Sequence, residues 1–229
     1  MKPFLISLLY VLIFLIAGCA DMSGSGETSS NSDALAEVPE AGHLVHDYPA
    51  VTKDGLVNVV VEISTGTIEK WEVEKESGEL ELEMINGTER KVAYLGYPGN
   101  YGMVPRTLAS EEHGGDGDPL DVIILGPPIK RGKVVPCKII GMLELLDRGE
   151  QDDKLIAVSQ NTVFYDLNGM EELDAKFGGV SDIIRTWFEN YKGHGPIEVI
   201  AYRDKEIAEE ILNLAIRAYQ EETIDVVEE

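Results

Sequence analysis

Positive charge is scarce in this 229-residue chain. Only 19 Lys and Arg stand against 42 Asp and Glu, for a net charge of −23. Such a surface repels nucleic acid and anionic lipid head groups, which argues against nucleic acid as a partner, and it favours uptake of cations. An acidic protein that handles a polyanion needs metal ions as adaptors between the two. Cysteine is nearly absent, with Cys19 and Cys137 alone. Cys137 sits in an apolar strand pattern and reads as a small buried hydrophobe. A hydrophobic content of 44% at this length supplies a core without disulfide staples. Also missing are internal repeats and any apolar run of the ~20 residues that a spanning helix needs.

The longest apolar run is Phe4–Ala17, preceded by Lys2 as a minimal basic region. It is too short to anchor by spanning, so it reads as a secretory signal. Ile16-Ala17-Gly18-Cys19 resembles the bacterial lipobox, in which cleavage leaves the cysteine as a lipid-modified N-terminus. The expected organisation is therefore a lipoprotein signal peptide over 1–18, with Cys19 as the lipidation site. A flexible tether over 19–40, rich in Ser, Gly and Asp, has almost nothing to bury. One folded domain follows over 41–222, and an acidic tail over 223–229. Acyl chains contribute about 0.8 kcal/mol per buried CH₂, so several hold a protein stably at a bilayer. The expected location is extracytoplasmic, at the membrane of a bacterial cell envelope.

Within the domain, strand candidates come first: Leu56–Ile63, Ile68–Glu74, Leu80–Met84, Val92–Leu95, Asp121–Leu125, Val134–Leu146, Leu155–Val158 and Ile197–Tyr202. Lys75-Glu76-Ser77-Gly78-Glu79 reads as a hairpin connection. Helices come late. Ser181–Tyr191 carries Ile183, Ile184, Trp187, Phe188 and Tyr191 at helical spacing. Asp204–Glu221 opens on a capping Asp204 and places Ile207, Ile211, Ala215, Ile216 and Tyr219 on one stripe. Many strands followed by two helices indicate an α+β fold with a closed sheet at its centre.

The chemistry concentrates in Asp116-Gly117-Asp118-Pro119-Leu120-Asp121, which runs straight into the apolar Val122-Ile123-Ile124-Leu125. Extended chain puts Asp116 and Asp118 on one face, and Pro119 marks where ladder pairing begins. Like charges this close repel unless a cation lies between them. Hard oxygen donors favour Mg²⁺, Mn²⁺ or Ca²⁺ over zinc. A solvated acidic turn is the plain alternative. An EF-hand loop counted from Asp116 fails, since it would need Gly where Asp121 stands and Glu where Pro127 stands. A phosphoaspartyl motif would follow its strand rather than precede it.

Three further segments are dense in chemistry. Tyr97-Pro98-Gly99-Asn100-Tyr101-Gly102 reads as an irregular loop that presents a phenol at Tyr101. Asp147-Arg148-Gly149-Glu150-Gln151-Asp152-Asp153-Lys154 follows the long strand. Tyr191-Lys192 ends a helix, where a cation is favoured by the dipole alone. Upstream, Lys70 and Glu72 share a strand face. His43, His46, His113 and His194 belong to no motif, and the His43-x-x-His46 pair reads as surface histidines.

Taken in order, these segments resemble the soluble family I inorganic pyrophosphatases. Asp116–Val122 matches that family's signature in full. So do the Tyr-Pro-x-Asn-Tyr-Gly loop, the Asp-x-x-x-x-Asp-x-Lys loop at Asp147–Lys154, and Tyr191-Lys192. Val61-Glu62-Ile63 and Lys70-Trp71-Glu72 look like its Glu and Lys-x-Glu strands. The resemblance spans about Leu56 to Lys192. It implies an OB-type five-stranded closed β-barrel with flanking helices, and a possible homo-oligomer. The implied reaction is hydrolysis of pyrophosphate to two phosphates by a metal-activated water, with Mg²⁺ as cofactor and Mn²⁺ as a substitute. Carried over, Asp116, Asp121 and Asp152 would hold one metal, with Asp121 bridging to a second. Asp147 and Asp152 would hold a metal that arrives with substrate, and Glu72 would assist another. Asp118 would be the general base, and Lys70, Arg90, Lys154, Tyr191 and Lys192 would grip phosphate, with Tyr101 beside the water. Around Arg90 the loop departs from the family pattern, which leaves Lys91 as its competitor; guanidinium geometry favours Arg90. The rival readings are another phosphoanhydride hydrolase on the same scaffold, or a cation- or polyphosphate-binding lipoprotein without turnover.

Overall fold

The computed structural model describes residues 42–110 and 114–228, with side chains described to residue 223. The signal segment, the Cys19 lipidation site and the tether lie outside the described residues, as does His113.

The core is built from β-branched runs. Strand β1, Val57–Ile63 (Val-Asn-Val-Val-Val-Glu-Ile), is buried along its whole length, as expected of chain covered on both faces. A hairpin of β2 (Trp71–Val73) and β3 (Leu80–Leu82) follows, then a small hairpin of β4 (Met84–Ile85) and β5 (Thr88–Glu89). Strand β6 is Asn100–Met103, β7 Asp121–Leu125, β8 Val134–Asp147, β9 Glu150–Gln151 and β10 Lys154–Ser159. Helix α1 spans Met170–Lys176 and α2 Val180–Asn190; strand β11, Ile197–Arg203, precedes helix α3, Lys205–Glu228.

The pairing order β1-β6-β7-β10-β8 returns to β1 through a β1–β8 ladder, so five strands form a ring, with β11 added on β8. Strand β8 is long enough to pair β1 over Val134–Cys137, β10 over Cys137–Leu143 and β11 over Met142–Asp147. The β7–β10 ladder is parallel, whereas the other ladders of the ring are antiparallel. This is the OB-type barrel and α+β class expected from the sequence. Alternate residues serve two apolar clusters: Ile123, Ile156 and Val158 pack with Leu173, Ile184 and Phe188 of the first two helices. Val122, Leu155 and Ala157 pack with Ala208, Leu212 and Ala215 of α3.

Several expectations are corrected. Tyr97–Gly102 is not wholly a loop, since β6 begins at Asn100 and completes the ring. Gly102 allows this: a Cβ there would meet the Val60 carbonyl oxygen at 1.8 Å, so only glycine lets β6 lie against β1. Val92–Leu95 is not a strand, and ladder pairing within Ile68–Glu74 is confined to Trp71–Val73. Helix α1 went unread because a seven-residue helix that buries Met170 and Leu173 shows too little periodicity. The buried stripe of α3 is Ala208, Leu212 and Ala215, with Ile207 exposed, because small residues bring the helix close to the sheet. Helix α3 also runs past Glu221 to Glu228.

Candidate active site

One cleft of about 600 Å³ gathers side chains from distant parts of the chain. From β1 comes Glu62, and from the β2–β3 hairpin come Lys70, Glu72 and Lys75. Arg90, Tyr97 and Tyr101 line the next wall, Asp116, Asp118 and Asp121 the mouth of β7, and Asp147, Glu150 and Asp152 the turn between β8 and β10. Tyr191 and Lys192 enter from the end of α2. Every side chain expected from the sequence lines this cleft except Lys154; Arg90 does so and Lys91 does not, being paired with Glu89 outside it.

Long-range pairing explains the convergence. The parallel β7–β10 register sets Lys154 beside Asp121, and β6–β7 pairing sets Met103 on the other side of Asp121. Asp147 ends β8 where the chain folds back through β9. Gly117 has φ +76°, which lets the Asp116–Asp118 turn close with the Asp118 amide bonded to Asp116 Oδ1 at 3.0 Å. At the end of α2, Trp187 stacks on Tyr191 at 4.4 Å and donates Nε1 to the Leu95 carbonyl at 2.8 Å, which fixes where Lys192 emerges.

Some of the carboxylates in the cleft are paired with cations already present. Lys154 Nζ lies 2.6 Å from Asp121 Oδ2 and also contacts Asp152 Oδ1, with its side chain 3% exposed. Its strand is buried throughout, and both of its carboxylate partners line the cleft. Burial opposes that charge, but Asp121 and Asp152 outweigh it and hold Lys154 above its usual pKa. Burial pushes Asp152 and Asp116 above the ordinary carboxylate range. Lys192 reaches Asp147 Oδ2 at 2.5 Å, while Asp147 Oδ1 is buried without a partner. Arg90 Nη1 bonds both oxygens of Glu83, at 2.7 and 2.5 Å, and Lys70 pairs with Glu72. Tyr101 is buried with the ammonium groups of Lys70 and Lys154 at 5.8 and 6.0 Å from its ring centre. Burial, then the charge on Asp121, keep its phenol well above the usual value, so it is a hydrogen-bond donor at any working pH.

The donor set suits a hard divalent cation. It is all oxygen, several carboxylates are under-solvated, and Asp147 Oδ1 is an orphaned acceptor. Among the described residues no three acidic or imidazole side chains already stand at ligating distance. Lysines hold the carboxylates apart in pairs.

Glu62 was quoted in the sequence without a role. It is buried, accepts the Val73 amide at 2.8 Å, and burial followed by the charge on Asp121 raises its pKa to about 8. The folded protein therefore binds a proton that the unfolded chain releases above pH 4.5. The favourable contribution is complete below the unfolded value and is lost as pH rises toward 8. We expect metal-free protein to lose stability steadily as pH rises across that window through this group. In the Glu62→Gln variant this component should be absent. Denaturant melts in chelator at pH 5.5, 6.5 and 7.5 measure it, and parallel curves for both proteins would contradict the assignment.

The family model described as inorganic pyrophosphatase matches residues 59–220. An inorganic pyrophosphatase of Helicobacter pylori is 35% identical over 167 residues, covering 71% of this chain and 90% of that protein. One from Campylobacter jejuni is 32% identical over 168 residues, covering 72% and 92%. The crystal structure of an N-terminally truncated vacuolar soluble pyrophosphatase of Trypanosoma cruzi in complex with PPi superposes with a TM-score of 0.72 at 25% identity, covering 77% of each chain.

Proposed function

Because this chain belongs to the inorganic pyrophosphatase family, we propose that it hydrolyses inorganic pyrophosphate with divalent cations, Mg²⁺ or in its place Mn²⁺, held by Asp116, Asp121, Asp147, Asp152 and Glu72. The activity itself follows from that membership. The observation that carries the site is one cleft that gathers the carboxylates together with Lys70, Lys75, Arg90 and Lys192. Bound cations supply Lewis acidity and make water a nucleophile near neutral pH.

The rest is work for this chain's own groups. Asp118, at the mouth of β7, accepts a proton from the attacking water and orients it. Lys70, Arg90 and Lys192 meet negative charge as it develops on the phosphoryl and leaving-group oxygens, and the Tyr191 hydroxyl donates a hydrogen bond there. Burial raises the Tyr191 pKa far above its usual value, so that proton stays in place. Tyr101, buried against Asp121, holds that carboxylate in position. Lys154 balances Asp121 and Asp152 in the metal-free protein and would join the other cations on phosphate oxygens once divalent cations take up those carboxylates.

Phosphate release from pyrophosphate, compared with a panel of nucleotides in Mg²⁺, tests the reading. Preference for pyrophosphate is expected; equal rates on nucleotides would indicate a broader phosphoanhydride hydrolase, and no release a binding protein.

Residues 1–40 support a lipid-anchored, extracytoplasmic enzyme through the apolar Phe4–Ala17 run and Ile16-Ala17-Gly18-Cys19. Among the described residues no helix is long and apolar enough to cross a membrane. In cells fed a labelled fatty acid, the protein should carry label and sediment with membranes. Cys19→Ala should abolish the label and release the activity, and unchanged sedimentation would count against the anchor.

A further inference from the structure

Lys75 lies in the turn between β2 and β3, which the sequence marked only as a hairpin connection. Its ammonium reaches across the cleft to Asp118 Oδ1 at 2.5 Å and to the Gly117 carbonyl at 3.1 Å. Both side chains of the pair are more than half exposed. An ion pair in such a position contributes at most about 1 kcal/mol to stability, so the fold does not account for it.

Both ends of this bridge are tied down. On one side the turn is closed by Gly78 N–H to the Glu74 carbonyl at 2.9 Å and by Ser77 N–H to Glu74 Oε2 at 2.6 Å. The segment entering the domain braces it from outside, with Leu44 N–H donating to the Gly78 carbonyl at 3.1 Å and His43 Nε2 lying 3.2 Å from the Glu76 carbonyl. On the other side, Gly117 N–H donates to the Ala109 carbonyl and Ala109 N–H to the Asp118 carbonyl, each at 2.8 Å. One ammonium thus joins two braced turns and occupies a single oxygen of Asp118.

We propose that Lys75 is a positioning residue for Asp118: it fixes the carboxylate's rotation through Oδ1 and leaves Oδ2 aimed at the attacking water. The inference rests on Asp118 acting as the general base. A base free to rotate spends most of its time misaligned, and misplacement of about 1 Å can cost a hundred-fold in rate. Arginine can hold both acceptors and methionine neither.

The test is steady-state phosphate release from pyrophosphate in Mg²⁺, with thermal melts, for wild type, Lys75→Met, Lys75→Arg, Asp118→Asn and the Lys75→Met/Asp118→Asn double variant. Lys75→Met should lower kcat about ten- to a hundred-fold and leave KM within about two-fold, with an unchanged melting temperature. Lys75→Arg should restore most of the rate. In the Asp118→Asn background, Lys75→Met should cost nothing more, because there is no base left to orient. A raised KM at unchanged kcat would make Lys75 a substrate-gripping group and overturn the proposal. So would an equal loss in the double variant, or a rate loss matched by lost stability. Full turnover in Asp118→Asn alone would overturn the base assignment itself, whatever Lys75→Met does, which keeps the two failures distinct.

Discussion

Asp118→Asn should lose about a hundred- to ten-thousand-fold in kcat, the usual contribution of a positioned general base, while metal affinity and melting temperature stay near wild type. The amide keeps the size of the carboxylate and can still accept from Lys75, so the Asp116–Asp118 turn and its 3.0 Å backbone bond to Asp116 have no reason to move. What disappears is the capacity to take a proton. Asp118 is the one carboxylate of this turn whose partner, Lys75, comes from the opposite rim of the cleft, whereas Asp121 bonds the buried Lys154. Isothermal titration of the metal, run beside phosphate release, separates the two effects. A variant that turns over normally would take Asp118 out of the proton-transfer role; one that loses metal in step with activity would make it a ligand.

Lys154→Met should be the most damaging substitution for stability in metal-free protein. It removes the cation from between Asp121 and Asp152 and leaves two half-buried carboxylates facing each other. Removing one partner of a buried ion pair typically costs about 3–5 kcal/mol, and methionine fills most of the lysine's volume, so the loss reports charge rather than a cavity. Two dependences identify the cause. Divalent cation should recover much of the deficit, since it supplies the missing positive charge to the same oxygens. Acid should recover it too. Asp152 already lies above the usual carboxylate range through burial and then through Asp121. Without the lysine its folded-state pKa rises further, so stability is best below the unfolded carboxylate value and is lost as pH climbs. Denaturant melts in chelator, then with Mg²⁺, then at pH 4.5 and 7.5 check each step. Wild-type stability in chelator at neutral pH would show that Lys154 does not balance the pair.

The strands that carry the acidic side chains were legible because Val57–Ile63, Asp121–Leu125 and Leu155–Val158 are β-branched runs bounded by turn residues. The motif Asp116–Asp121 was legible because three further segments accompany it in matching order; alone it reads equally well as a solvated acidic turn. Asn100–Met103 was not, because Pro98, Gly99 and Gly102 look like loop chemistry. The strand exists since Gly102 fits against Val60 and Asn100 Oδ1 accepts the Thr65 and Ile129 amides at 3.1 and 2.7 Å, contacts that no local pattern reveals. The loop before Arg90 departs from the family pattern, and its Asn86 and Gly87, at φ +52° and +77°, make the tight hairpin turn that such a pair favours. Lys154 shows the limit most plainly. Which carboxylates a lysine at a strand's start will meet depends on the β7–β10 register, which is set more than thirty residues away.

That parallel ladder has a kinetic meaning as well. Parallel neighbours cannot be joined by a tight turn, so Asp121 and Lys154 meet only after β8 has crossed between them, and the ring shuts only when Val57–Val60 finds Val134–Cys137. Loop-closure entropy sets such steps late on the folding path. The carboxylates become neighbours at about the moment the barrel is complete, so a divalent cation would have little to hold in a half-formed chain. Its influence should fall on how slowly the finished molecule comes apart rather than on how fast it is made.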